Sequence, residues 1–223
     1  MPEKVIWKEG DVQLRKVGGE ILSFTCIDDD YHDWQNEHRK AALFLCDRVI
    51  RADVDTAPGK KMKIFSFGKD NNYKTSQVRA WLQKNSQNSS FCLEPIHTGI
   101  QTAYTGSTAA GAFSQTSGRE LVRQDIGFQF MNDQLFCLSL EEALAYREYL
   151  WRFDSGDDNP QSQVSAYSQG YYLRTPFYLQ DENGKFVYNQ QIYGVDLVNG
   201  CLRPVRTDSE TYGIRPAFAL PQM

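Results

Sequence analysis

The chain has 223 residues, with 24 Lys and Arg against 28 Asp and Glu, a formal net charge of -4 and a sequence pI near 5.4. A globule of this length buries enough surface to fold without a disulfide or metal staple, and a 41% hydrophobic content excludes a disordered chain. No Lys/Arg stripe exists to neutralise phosphates, and no apolar run reaches the roughly 18 residues of a spanning helix, so neither nucleic acid nor a membrane is an expected partner.

Met1 to Glu9 lacks the apolar centre of a secretory signal, which points to the cytoplasm. Residues 20–27, after Gly18-Gly19, read as a strand that Asp28-Asp29-Asp30 ends. Residues 41–50 read as a mostly buried strand, with a helix as rival, because a short apolar run shows no period. Residues 76–84 predict a short helix capped by Thr75 or Ser76, with Val78, Trp81 and Leu82 as its apolar stripe. Residues 105–118 are small and polar, and read as a flexible loop inserted into one domain spanning 1–223.

Residues 135–138 predict another strand. Ser139, with Glu142 three residues on, is the signature of a capping box, and helical spacing continues to Leu150-Trp151. Asp154 to Pro160 breaks that helix. From Ser165 onward strands alternate with turns; Asp181-Glu182-Asn183-Gly184 and Asn199-Gly200 are hairpin signals. The order of elements predicts an α+β class with a twisted, mainly antiparallel sheet, two main helices and long loops.

Four segments then carry a resemblance: Val78-Arg79-Ala80-Trp81-Leu82, Leu135-Phe136-Cys137-Leu138-Ser139, Tyr172-Leu173-Arg174-Thr175-Pro176 and Gly213-Ile214-Arg215-Pro216-Ala217. In this order they resemble a bacterial and phage family of unknown function, related to the formylglycine-generating-enzyme branch of the C-type-lectin-like fold. The resemblance implies that fold, and a cytoplasmic or phage-particle setting. It implies structural roles for Arg79, Trp81, Arg174, Pro176, Arg215 and Pro216. A planar guanidinium can tie several carbonyls together, and a proline ends ladder pairing at a strand edge.

The chemical candidates are thin. Cys26, Cys46 and Cys137 lie in apolar runs and read as buried free thiols; Cys92 and Cys201 are less clearly buried. The formylglycine-generating lineage binds copper through two neighbouring C-terminal cysteines, and here Cys201 stands without a neighbour. Asp28-Asp29-Asp30-Tyr31-His32-Asp33, with Glu37 and His38, offers carboxylates and imidazoles, but at no recognised ligand spacing, and reads as an exposed acidic loop leading to a helix start. His97 reads as a loop residue. No Gly-Lys-Ser/Thr follows the small-residue stretch Gly106 to Gly118, and no nucleophile elbow is present. No metal, cofactor or catalytic residue is therefore assigned.

Residues 165–193 interleave tyrosines with Asn and Gln, the composition of binding surfaces. The leading expectation is a non-catalytic recognition domain that binds a protein or a glycan through Tyr178, Tyr188, Asn189, Gln191 and Tyr193, in the manner of retroelement-diversified variable proteins. Two alternatives remain: a metal-dependent oxidase-like enzyme of the formylglycine-generating lineage, and a structural component of a phage or larger assembly. The oligomeric state is left open.

Overall fold

The structure, a computed structural model, describes residues 6–17, 19–33, 36–50, 66–87, 96–101, 113–114, 128–153, 169–177, 179–180, 183, 186–187 and 190–222. Gly19, with φ of +88°, turns the chain from β1 (Val12–Val17) into β2 (Glu20–Asp33). That left-handed conformation is one in which a Cβ clashes with the backbone. β3 (Asn36–Cys46) pairs antiparallel with β2. A 3-10 turn, Tyr73–Thr75, leads into α1 (Gln77–Gln87). Next come β4 (Ile96–Gln101), β5 (Phe113–Ser114), β6 (Phe128–Asp133) and α2 (Leu140–Ala145). The C-terminal part is almost all strand: β7 (Gly170–Pro176), β8 (Leu179–Gln180), β9 (Phe186–Val187), β10 (Gln191–Asp196), β11 (Cys201–Arg206), β12 (Tyr212–Ile214) and β13 (Ala217–Pro221).

These strands form a four-stranded sheet, β1-β2-β3-β13, and a five-stranded sheet, β12-β7-β10-β11-β5, with the small pairs β4-β6 and β8-β9 beside them. The described pairings are antiparallel except β12 with β7. The C-terminal end of the chain steps between the sheets. β12 belongs to the five-stranded sheet, Arg215-Pro216 makes the step, and β13 pairs with β3 in the four-stranded one. Proline has no N–H to donate, so it falls naturally where one ladder ends and the next begins.

Residues 41–46 of β3 and the whole of β7 are buried on both faces. Along β3, Ala42, Phe44 and Cys46 join one apolar cluster while Ala41, Leu43 and Leu45 join the other. Along β7, Tyr172 faces the first cluster and Tyr171 and Leu173 the second. A strand covered on both sides has no polar face, which is why residues 41–46 show no alternation in sequence. Phe44 and Phe218 stack across the β3-β13 pair with ring centroids 5.1 Å apart; such a pair adds about 1 kcal/mol to the burial of its area. α1 inserts Val78 and Leu82 into the first cluster, and α2 inserts Leu140 and Ala143 into the second.

The α+β, C-type-lectin-like expectation is overturned. Strand dominates the described residues, the strands divide into two curled sheets rather than one, and the two helices are short, 11 and 6 residues. The second helix stops because Tyr146 leaves helical geometry (φ -104°, ψ 31°) and a 3-10 turn, Arg147–Tyr149, follows. Other local expectations also shift. β2 does not end at Asp28; bulges between Cys26 and Asp28 and between Asp28 and Tyr31 carry it on to Asp33, so the acidic run lies in a strand and not in a loop before a helix. Residues 135–138 form only a single bridge, Phe136 with Ala217. Of the small-residue stretch 105–118, only Phe113–Ser114 is among the described residues, where it pairs with Cys201 and Leu202; the rest lies outside them.

Candidate functional site

The Asn199-Gly200 turn, with Gly200 at φ +60°, closes the β10-β11 hairpin and fixes its register. Counting back from the turn, Asp196 faces Cys201 and Gln191 faces Arg206. The parallel pairing of β12 with β7 sets Tyr212 beside Gly170. Gln169 and Thr211, one residue earlier on each strand, meet through Gln169 N donating to Thr211 O (2.6 Å) and Thr211 Oγ1 donating to Gln169 Oε1 (3.2 Å). The Tyr212 ring lies over Gly170 and Gly194: an added Cβ would come within 2.7 Å and 3.3 Å of its Cε1. The result is a groove of about 510 Å³ lined by Gln169, Gln191, Arg203, Arg206, Thr211 and Tyr212, together with the turn at 208–210.

Polar side chains dominate its walls. Half-buried Arg203 holds its Nε 2.6 Å from Asp196 Oδ2 and donates from Nη2 to the Tyr212 hydroxyl (3.4 Å). Asp196 also accepts from the N–H groups of Val198 and Asn199 and from the Asn199 amide, which locks the turn. Exposed Arg206 donates two hydrogen bonds to Asp208 (2.8 and 2.7 Å), which hold the Asp208 carboxyl below the usual range. Burial, then the Asp196 carboxylate, pushes the Tyr212 hydroxyl up to about 12. The groove thus offers guanidinium, amide and hydroxyl groups in fixed positions, a set suited to hydrogen bonding.

Of the residues expected to bind ligand, Gln191 lies in this groove. Tyr193 does not: it is 4% exposed and packs edge-on against Phe177, centroids 5.7 Å apart, in the second apolar cluster. Tyr178, Tyr188 and Asn189 lie outside the described residues. Arg203, Arg206 and Thr211 were not foreseen, although the Asn199-Gly200 signal fixes the register that brings Arg206 opposite Gln191.

Of the motif residues, Arg174, Pro176, Arg215 and Pro216 are buried, and Arg79 and Trp81 are half-buried. Arg79 holds Asp133 (Nε 2.9 Å, Nη2 2.8 Å), and Trp81 packs half-buried on the first cluster. Arg174 is fully buried and donates to Glu142 Oε2 and Oε1 (2.6 and 2.7 Å) and to Cys137 O (2.5 Å). Burial alone would lower its pKa, but the Glu142 carboxylate, followed by Tyr31, raises it. Arg215 donates to four carbonyls, those of Cys46 (2.7 Å), Tyr149 (2.9 Å), Leu150 (3.0 Å) and Arg152 (2.6 Å). Pro176 ends β7, and Pro216 stands between β12 and β13.

Cys26, Cys46, Cys137 and Cys201 are buried free thiols; Cys92 lies outside the described residues. Burial pushes the Cys26 thiol up to about 11 and those of Cys46 and Cys137 up to about 12, which is the opposite of the activation a thiolate nucleophile needs. Among the described residues, no three His, Cys, Asp or Glu side chains converge as a metal site. The backbones of His32 and His38 lie in β2 and β3, and that of His97 in β4 rather than in a loop. No helix among the described residues is long and apolar enough to cross a membrane.

Residues 44–222 match the family described as a domain of unknown function, DUF6273, and the chain belongs to that family. No curated protein and no solved structure matches it.

Proposed function

We propose that this DUF6273 chain is a non-catalytic recognition domain that binds a hydroxyl-rich ligand, a glycan, in the groove on the five-stranded sheet. The observation that carries this reading is the set of residues lining one groove: Gln191, in register with Arg206, the hydrogen-bonded Gln169-Thr211 pair, and Arg203 with Tyr212. Sugars present vicinal hydroxyls that both donate and accept, and fixed amides and guanidinium groups meet both needs. A protein partner would call for an apolar or aromatic interface core, and the walls of this groove are mainly polar.

The test is a glycan array followed by calorimetry on the full chain, with Arg206→Ala and Gln191→Ala as variants. Both side chains are at least partly exposed at the start of the β10-β11 hairpin, so folding should survive their truncation. Loss of one charged hydrogen-bonding group should weaken binding by about tenfold or more. Glycan binding that neither variant weakens would move the site elsewhere, and absence of any glycan binding would reject the ligand class.

A further inference from the structure

A second cavity, lined by different residues, lies beside the end of β3 and has a volume of about 390 Å³. That is within the range of small-molecule sites, roughly 300–1,000 Å³. The buried side chains of Ile27, Leu45 and Phe153 form its apolar lining. Its charged lining is balanced: Glu9 and Asp47 against Arg152 and Arg215.

Two of these four charges are buried, and neither has an ion-pair partner among the described residues. Asp47 is 8% exposed; its carboxylate accepts from Ser23 Oγ (2.6 Å) and Thr25 Oγ1 (2.7 Å), and among the described residues no cationic nitrogen lies within ion-pair distance of it. Arg215 is 2% exposed and spends its N–H groups on backbone carbonyls, with its guanidinium 4.5 Å from the centre of the Phe153 ring. A carboxylate kept in a partly apolar cavity is costly unless an opposite charge reaches it. Exposed Arg152, whose guanidinium rests over the Tyr149 ring at 5.3 Å, stands at the same cavity as a second, accessible cation.

We infer that this cavity binds a zwitterionic small molecule of the amino-acid class with a large apolar side chain, its ammonium directed to Asp47, its carboxylate to Arg152 and its apolar body to Ile27, Leu45 and Phe153. A purely cationic ligand would meet Arg215, and a purely anionic one would meet Asp47; a molecule carrying both signs matches the balanced lining.

Three probes share one apolar body and separate the two charges: L-phenylalanine, phenethylamine and 3-phenylpropionate. Calorimetry on the full chain should show saturable binding of L-phenylalanine, at least about tenfold tighter than either truncated probe. Asp47→Asn should weaken L-phenylalanine and phenethylamine but not 3-phenylpropionate. Arg152→Gln, an exposed change that leaves the core untouched, should weaken L-phenylalanine and 3-phenylpropionate but not phenethylamine. Equal affinity for the three probes, no saturable binding at millimolar concentration, or binding of L-phenylalanine unchanged by Arg152→Gln would each overturn the inference.

Discussion

Arg174 and Glu142 form a bidentate ion pair inside the protein, and the same Glu142 carboxylate closes the N-terminal cap of α2. Its Oε2 accepts from Ser139 N (2.8 Å) as well as from Arg174, and its Oε1 accepts from Tyr31 OH (2.8 Å) as well as from Arg174. One side chain thereby joins β2, α2 and β7. Removing one partner of a buried pair leaves the other charge uncompensated, which typically costs about 3–5 kcal/mol. Glu142→Gln should fall in that range, even though a glutamine still serves the cap. Adding Arg174→Met to it should restore part of the loss. Urea unfolding of the two variants checks this, and a Glu142→Gln midpoint equal to the parent's would sink it.

Arg215 serves as a four-carbonyl clamp at the step between the sheets. A lysine there keeps the charge but has a compact ammonium that cannot span four carbonyls in one plane. Arg215→Lys should cost about 2 kcal/mol or more, a fall of roughly 4–8 °C in Tm for a chain of this size. A thermal melt superimposable on the parent's would show that the clamp contributes nothing.

Gly170 is required for space. An added Cβ would stand 2.0 Å from Val195 O, a backbone atom that cannot swing aside. Gly170→Ala should therefore destabilise by about 2 kcal/mol or more. Gly68 has only ordinary contacts of 3.5 Å around its Cβ direction, and Gly68→Ala should show no loss. Chemical denaturation of the pair distinguishes crowding from a general intolerance of alanine.

Mildly alkaline pH should destabilise the protein through its buried thiols, which ionise in the unfolded chain at lower pH than its buried tyrosines. Cys46 and Cys137 are held at about 12 in the folded state, against 9.0 for a free thiol, because burial disfavours the thiolate. A raised folded value means that the stabilisation is complete below about pH 9 and is lost as pH climbs from 9 toward 12. At pH 10 each thiol should already cost about 1 kcal/mol. Cys46→Ala with Cys137→Ala should flatten the decline between pH 9 and 10.5, measured as denaturation midpoints. An equally steep decline without the two thiols would place the effect on other groups.

Much of the local structure can be read from particular residues. Ser139 and Glu142 announce the start of α2, Asn199-Gly200 announces the β10-β11 turn, and Ser76 caps α1 by accepting from Arg79 N (3.0 Å). These are local signals whose physics lies within a few residues. The division into two sheets depends on β13 leaving the neighbourhood of β12 for β3, some 170 positions away in sequence, and nothing near Arg215-Pro216 names that destination. Tyr193 shows the same limit. Its amide-rich surroundings suggest a surface residue, but a strand covered on both faces buries both sets of side chains, and period-two reasoning assumes one wet face. The groove arginines were missed because a half-exposed guanidinium is unremarkable in sequence until register places it opposite an amide.

The pairing of β13 with β3 also shapes how the protein reaches its fold. β3 is translated some 170 residues before β13, residues 41–46 are apolar on both sides, and one strand edge keeps its N–H and C=O groups unpaired until residues 217–221 exist. An open, apolar strand edge is a template for wrong partners. The nascent chain must carry that edge while the residues between β3 and β13 are made. Closing so long a loop also makes folding slow. Cellular yield should therefore depend less on the stability of the finished domain than on how well the waiting edge of β3 is shielded, by chaperones or by low temperature, before its last strand arrives.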